Sequence, residues 1–233
     1  MNTLRSRLGG RHRHARRHAV ANQPLTWAIA ASAASVAVFV VWTARGSASD
    51  ASYMAVNLVL AWIPVVMSYG IVIAARTRVP LVALFLLGAA WLLFLPNAPY
   101  LLTDVVHIHN FSNPSPGLIA GGLGALAVTG VVLFFVSVAT VRKAADLRLS
   151  HRAAQWVLPV CAWTSGLGMY CGRFMRWNSW DVIVNPVGLA WNAAAHLDAA
   201  ATATGAIVFT VCCALLLQAA YTLLSRWGSP DAE

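Results

Sequence analysis

Residues 118–141 read LIAGGLGALAVTGVVLFFVSVATV, and Arg142-Lys143 follow at once. The stretch carries no charge, and its only side-chain polar groups are the hydroxyls of Thr129, Ser137 and Thr140. A helix needs about 20 mostly apolar residues to cross the ~30 Å hydrocarbon core of a bilayer. Water is absent there, so each backbone N–H and C=O must be paired within the segment, which selects a helix. The stretch therefore reads as a transmembrane helix stopped by its two bases. Working outward, similar stretches occur at 25–44, 53–75, 79–95, 153–171 and 201–224. A seventh apolar patch, 182–197, is broken by Pro186 and carries Asn185, Asn192 and His196, so it reads as an interfacial or re-entrant segment.

Composition agrees. Of the 233 residues, 59% are apolar and only 10% charged, against roughly 25% charged in soluble domains. Mean hydropathy is +0.68. Too few charges remain to coat a globular surface. Four cysteines in a chain this long exclude a disulfide scaffold, and no polar face is left on which a nucleic-acid binder would carry its bases. The lipid bilayer is the expected partner.

The formal net charge of +9 is unevenly spread. Arg5, Arg7, Arg11, Arg13, Arg16 and Arg17 precede the first span; Arg76 and Arg78 separate spans two and three. Arg142, Lys143, Arg148 and Arg152 separate four and five, and Arg226 follows the sixth. Only Arg45, Arg173 and Arg176 fall on the other side. The positive-inside rule puts the larger set in the cytoplasm, together with both termini, and an even number of spans satisfies both ends. With the acids included, the inner side carries +10 and the outer side −1. The expected fold is all-α: a polytopic bundle of about six spans, with a short outer-face helix after span three and the interfacial or re-entrant segment before span six. Residues 1–22 form a basic, disordered cytoplasmic tail, 23–226 the membrane domain and 227–233 a short C-terminal tail. The first span is too long for the h-region of a cleaved signal peptide and reads as an uncleaved anchor.

Most other features speak of packing. Gly117, Gly121, Gly122, Gly124 and Gly130 let span four approach a neighbour. The cysteines have no metal-ligand spacing. There is no phosphate-binding loop, dinucleotide fingerprint, zinc-protease helix or nucleophile elbow, and no internal repeat of the kind many transporters show.

Two outer segments break the apolar pattern: PNAPYLLTDVVHIHN at 96–110 and GRFMRWNSWDVIVNP at 172–186. Pro96 and Pro99 stop span three, and a new helix starting at Asn97 or Ala98 would put Tyr100, Asp104, His107 and Phe111 on one face. Asp104 and His107, three residues apart, suit one divalent metal ion. Equally, the carboxylate can orient the imidazole as a general base, or simply pair with it. Asp181 is a third candidate for acid–base work. Arg173 and Arg176, also three apart, suit a phosphate or carboxylate. Asn97, Tyr100, Trp177, Asn178 and Trp180 are candidates to line such a site, by hydrogen bonding or by stacking on a sugar. The competing reading is a neutral plug in which Asp104, Asp181, Arg173 and Arg176 pair off and the asparagines cap turns.

The string FLPNAPY at 94–100, with Thr103-Asp104 and His107, resembles a family of bacterial integral membrane proteins classed as domain of unknown function 1361. So does Gly172-Arg173-Phe174 followed by Arg176-Trp177-Asn178-Ser179-Trp180-Asp181. The resemblance extends over about 79–224. It implies a multi-spanning bacterial inner-membrane protein and implies no activity.

Three functions compete. An outward site for a lipid-linked or anionic cell-envelope substrate requires the two outer segments to converge in one pocket, and a wide separation would end it. A structural subunit needing a membrane-protein partner or a second copy of the chain fits the small-residue surfaces. A small transporter needs polar groups deeper in the spans, where only a few such as Asn57 occur. A divalent metal is the only candidate cofactor.

Overall fold

The computed structural model describes residues 25–38, 40–41, 44, 48–104, 116–198 and 200–227. Nine helices are numbered along it: α1 Leu25–Val38, α2 Ala48–Arg76, α3 Leu81–Phe94, α4 Asn97–Tyr100, α5 Pro116–Arg148, α6 His151–Phe174, α7 Asp181–Val184, α8 Pro186–Leu197 and α9 Ala200–Trp227. No strand occurs among the described residues. The basic tail 1–22, His107 and the last six residues lie outside them.

Four segments are long and apolar enough to cross a membrane: Met54–Arg76, Leu81–Asp104, Ile119–Arg148 and Ala201–Leu224. The described residues of the six stretches read from sequence fall on helix, apart from Val79, Pro80 and Leu95 at the ends of the third. The described part of α1 is apolar but short, and α6, 24 residues long, is diluted by Trp, Thr, Ser and Gly. The third segment runs on past the proline where the sequence reading ended it. Leu95 N–H closes on the Trp91 carbonyl at 2.9 Å and Tyr100 N–H reaches the Pro96 carbonyl at 3.0 Å, so hydrogen bonding resumes across the break. Leu101–Asp104 then tightens into a 3-10 turn. Over the described residues the expected short outer-face helix consists of the α turn Asn97–Tyr100 and this 3-10 turn.

Local sequence sets the other ends. Ser150 caps α6 by accepting Ala153 N–H at 3.1 Å. Asn185 caps α8 by accepting Gly188 N–H at 3.0 Å, with Pro186 in the first turn, where its missing donor costs nothing. The interfacial segment of the sequence reading is thus two helices, α7 and α8. It is anchored by Tyr170, whose hydroxyl meets His196 Nε2 at 3.0 Å.

Helix α5 is the central post, packed on α2, α4 and α6, while α9 leans on α6. Leu123, Leu126, Leu133 and Phe134 of α5 are buried. Lipid is as apolar as these side chains, so polar clasps and close approach do much of the holding. Ser137 donates to the Pro64 carbonyl at 2.8 Å and accepts Trp91 Nε1–H at 2.8 Å, joining α2, α3 and α5. Ser35 and Thr129 share a hydrogen bond at 3.1 Å, and Trp62 donates to Ser32 at 3.0 Å, fixing α1. The glycines behave unlike the sequence reading. A Cβ at Gly117, Gly121 or Gly124 would meet nothing within 4 Å, whereas one at Gly130 would collide with the Ala98 carbonyl of α4. Gly130 admits the neighbour, while Gly117, Gly121 and Gly124 face open space.

One end of the bundle gathers bases. Arg148 donates to the carbonyls of Ala75 (3.3 Å) and Val79 (2.9 Å), tying the α5–α6 turn to the α2–α3 turn, and Arg142 donates to the Tyr221 hydroxyl at 2.9 Å. Helix α2 ends there in a Schellman arrangement, with Val79 N–H on the Ala74 carbonyl (3.2 Å) and Arg78 in the left-handed region at φ 56°. The α3–α4 break and the loop after α6 occupy the opposite end.

Candidate functional site

The proline-rich segment is wedged between two helices. Leu95, Ala98 and Leu101 are fully buried, and Ala98 and Leu101 press on Gly130. On the other side α6 offers Gly168 and Gly172, one helical turn apart and hence on one face. A Cβ at Gly168 would strike the Pro96 ring; one at Gly172 would stand 3.1 Å from the Tyr100 ring. The two glycines make a groove in which Pro96 and Tyr100 lie.

Helix α6 ends just past this groove. Met175 and Trp177 both direct their N–H groups to the Cys171 carbonyl, at 3.1 and 3.3 Å, and Arg176 between them is left-handed at φ 56°. That position usually belongs to glycine, because a Cβ there crowds the carbonyl and costs roughly 1–2 kcal/mol. Arg173 and Arg176 therefore do not share a helical face as their spacing suggested. They nevertheless come to the same place.

That place is a cavity of about 870 Å³ between α2, α3 and α6. Its polar end is formed by Asn97, Tyr100, Arg173, Arg176, Trp177, Asn178 and Ser179. Asn97 Nδ2 donates to Ser179 Oγ at 3.1 Å, sewing the two outer segments together. Trp180 and Asp181 do not line it. Asp181 accepts Asn178 N–H at 2.8 Å and Asn178 Nδ2–H at 3.4 Å, while its own N–H returns to the Asn178 carbonyl at 3.0 Å, a closed turn that starts α7. Trp180 stands at the residue before α7, makes no capping hydrogen bond with its side chain and is 42% exposed.

Asp104 sits behind the cavity, fully buried. Its Oδ2 accepts Asn57 Nδ2–H at 3.2 Å, and Asn57 itself lines the cavity. Oδ1 has no hydrogen-bond partner among the described residues, and the Arg173 charge acts on the carboxylate. Among the described residues no group of three or more His, Cys, Asp or Glu gathers to hold a metal. His107 lies outside them, so the expected Asp104–His107 pair has one partner on view.

Sequence reading missed Asn57, Ser179 and the two groove glycines. The signal for Asn57 was its position as the one carboxamide in span two; for the glycines there was none, since Gly166 on the same helix abuts the Thr210 carbonyl instead and the sequence does not say which partner each glycine meets. Chemically, two guanidiniums, two carboxamides and two hydroxyls at one end of a largely apolar chamber suit an anionic group.

No curated protein and no solved structure matches the chain. A family model matches residues 56–218, a range that includes both outer segments, the glycine groove and Asn57. The chain belongs to the family described as Protein of unknown function (DUF1361).

Proposed function

We propose that this is a six-span protein of a bacterial inner membrane, with both termini cytoplasmic, whose outward cavity binds the anionic group of a lipid-linked or cell-envelope ligand. The observation that carries the reading is the meeting of the two outer segments around one cavity, with Arg173 and Arg176 at its polar end beside Asn97, Asn178 and Ser179. The clustering of Arg142 and Arg148 with the α2–α3 turn at the opposite end supports the orientation. The membrane domain is 23–226, flanked by the tails 1–22 and 227–233.

Arg173 and Arg176 hold the anion in this reading, Tyr100 and Trp177 offer ring faces, and Asn97 and Asn178 donate. Asp104 and His107 are the groups proposed for base or metal chemistry on the bound molecule. Asp104 also balances the Arg173 charge from behind. Titration of the purified protein with methyl phosphate tests the reading. Saturable binding that is lost in Arg173→Ala/Arg176→Ala, with the variant still folded, is the expected result. Equal binding by both proteins would reject it.

A further inference from the structure

The polar end is a small part of the chamber. From Ala89 on α3 to Pro96 just past its end the lining runs seven residues, and from Thr164 to Arg173 on α6 nine. At 1.5 Å per residue the cavity therefore extends about 10–14 Å along the helices. A phosphate or carboxylate fills only the polar end. The remaining wall is formed largely by Leu60, Leu92, Leu93 and Leu167. Thr164, at the deep end, returns its hydroxyl to the Val160 carbonyl at 2.8 Å. A chamber of about 870 Å³ lies in the upper part of the ~300–1,000 Å³ range of small-molecule sites.

The wall is also open to the side. Among the described residues α3 and α6 touch sparsely, and Leu167 lines the cavity while remaining 53% exposed. Helix α3 turns Val82, Phe85 and Leu86 outward, and the α1 clasps lie on α2 and α5, away from this gap. With α3 in the bilayer, Val82, Phe85 and Leu86 face lipid, and the sparse α3–α6 contact leaves the cavity open beside them.

We infer that the ligand is a single-headed amphiphile, its phosphate or carboxylate between Arg173 and Arg176 and its chain laid along Leu92, Leu93 and Leu167, entering sideways from the bilayer between α3 and α6. This rests on the anion-binding reading above and adds the chain and the route. A soluble phosphate ester would satisfy the arginines alone.

The test is a series of monoalkyl phosphates, methyl to hexyl, titrated into the full-length protein in phosphatidylcholine nanodiscs and followed by tryptophan fluorescence. Arg173→Ala/Arg176→Ala corrects for partition into the lipid, and hexanol is the headless control. Each methylene moved from water onto the wall tightens binding roughly four-fold, so seating three or four of them makes hexyl phosphate about 100-fold tighter than methyl phosphate. Hexanol should not compete, and Leu167→Ser should shrink the advantage of hexyl over methyl phosphate. Equal affinity along the series would overturn the amphiphile and leave the anion site standing. Hexanol binding as well as hexyl phosphate, or no binding by any member, would overturn both.

Discussion

Asn97 and Ser179, 82 residues apart, share a hydrogen bond of 3.1 Å from Nδ2 to Oγ. Each belongs to one of the two polar segments in an apolar chain, and the bond closes the rim of the cavity they line. Beneath it the Pro96 and Tyr100 rings sit in the Gly168–Gly172 groove. The rim is therefore set by helix packing, and side chains from both segments converge because the rings of the first already rest on the α6 glycines.

Close packing at one glycine gives the first prediction. Gly130→Ala places a methyl against the Ala98 carbonyl, whereas Gly124→Ala meets open space. Thermal unfolding in detergent should show Gly130→Ala destabilised by about 1–3 kcal/mol and Gly124→Ala within about 0.5 kcal/mol of wild type. Equal effects would mean that α4 does not lie on α5 at this glycine.

Asn57 and Asp104 give the second. Asn57→Leu removes the donor to a fully buried carboxylate and should cost about 1.5–3 kcal/mol. Asp104→Asn keeps an oxygen to accept that donor and removes the burden of a buried carboxylate. Its melting temperature should match or exceed that of wild type. A large loss in Asp104→Asn would show that the carboxylate itself holds the fold.

Arg176 gives the third. Glycine at this left-handed position relieves the Cβ crowding, so Arg176→Gly should raise stability by about 1 kcal/mol. The same change should weaken methyl phosphate binding. A variant both more stable and as tight in binding would remove Arg176 from the site.

How much of this was legible in the sequence depends on the kind of signal. An uncharged run such as 118–141 specifies a helix through hydrogen-bond satisfaction alone, so the helices and the membrane class were readable. The two polar segments stood out because a chain with 10% charge had placed Asp104, Arg173, Arg176 and Asp181 there. Their meeting was a requirement of one hypothesis, and spacing could not supply it. Spacing also misled locally. Tyr100 and Asp104 sit across an α-to-3-10 change, and Arg173 and Arg176 across a helix end. Glycines were equally mute, because whether Gly130 or Gly121 touches a neighbour depends on which face α4 occupies.

Orientation gives the fourth prediction. With the four native cysteines replaced, a cysteine at the exposed Asn178 should react with a membrane-impermeant maleimide from outside intact cells. One at the exposed Leu149 should react only after permeabilisation. The reverse pattern would invert the topology and turn the cavity to the cytoplasm.

In the proposed function the two outer segments together build one anion-binding site. Native mass spectrometry of wild type and Arg173→Ala/Arg176→Ala, purified side by side from the same membranes, tests it most directly. Wild type should carry an anionic adduct of one defined mass that is absent from the variant. The same adduct on both proteins, or on neither, would contradict it.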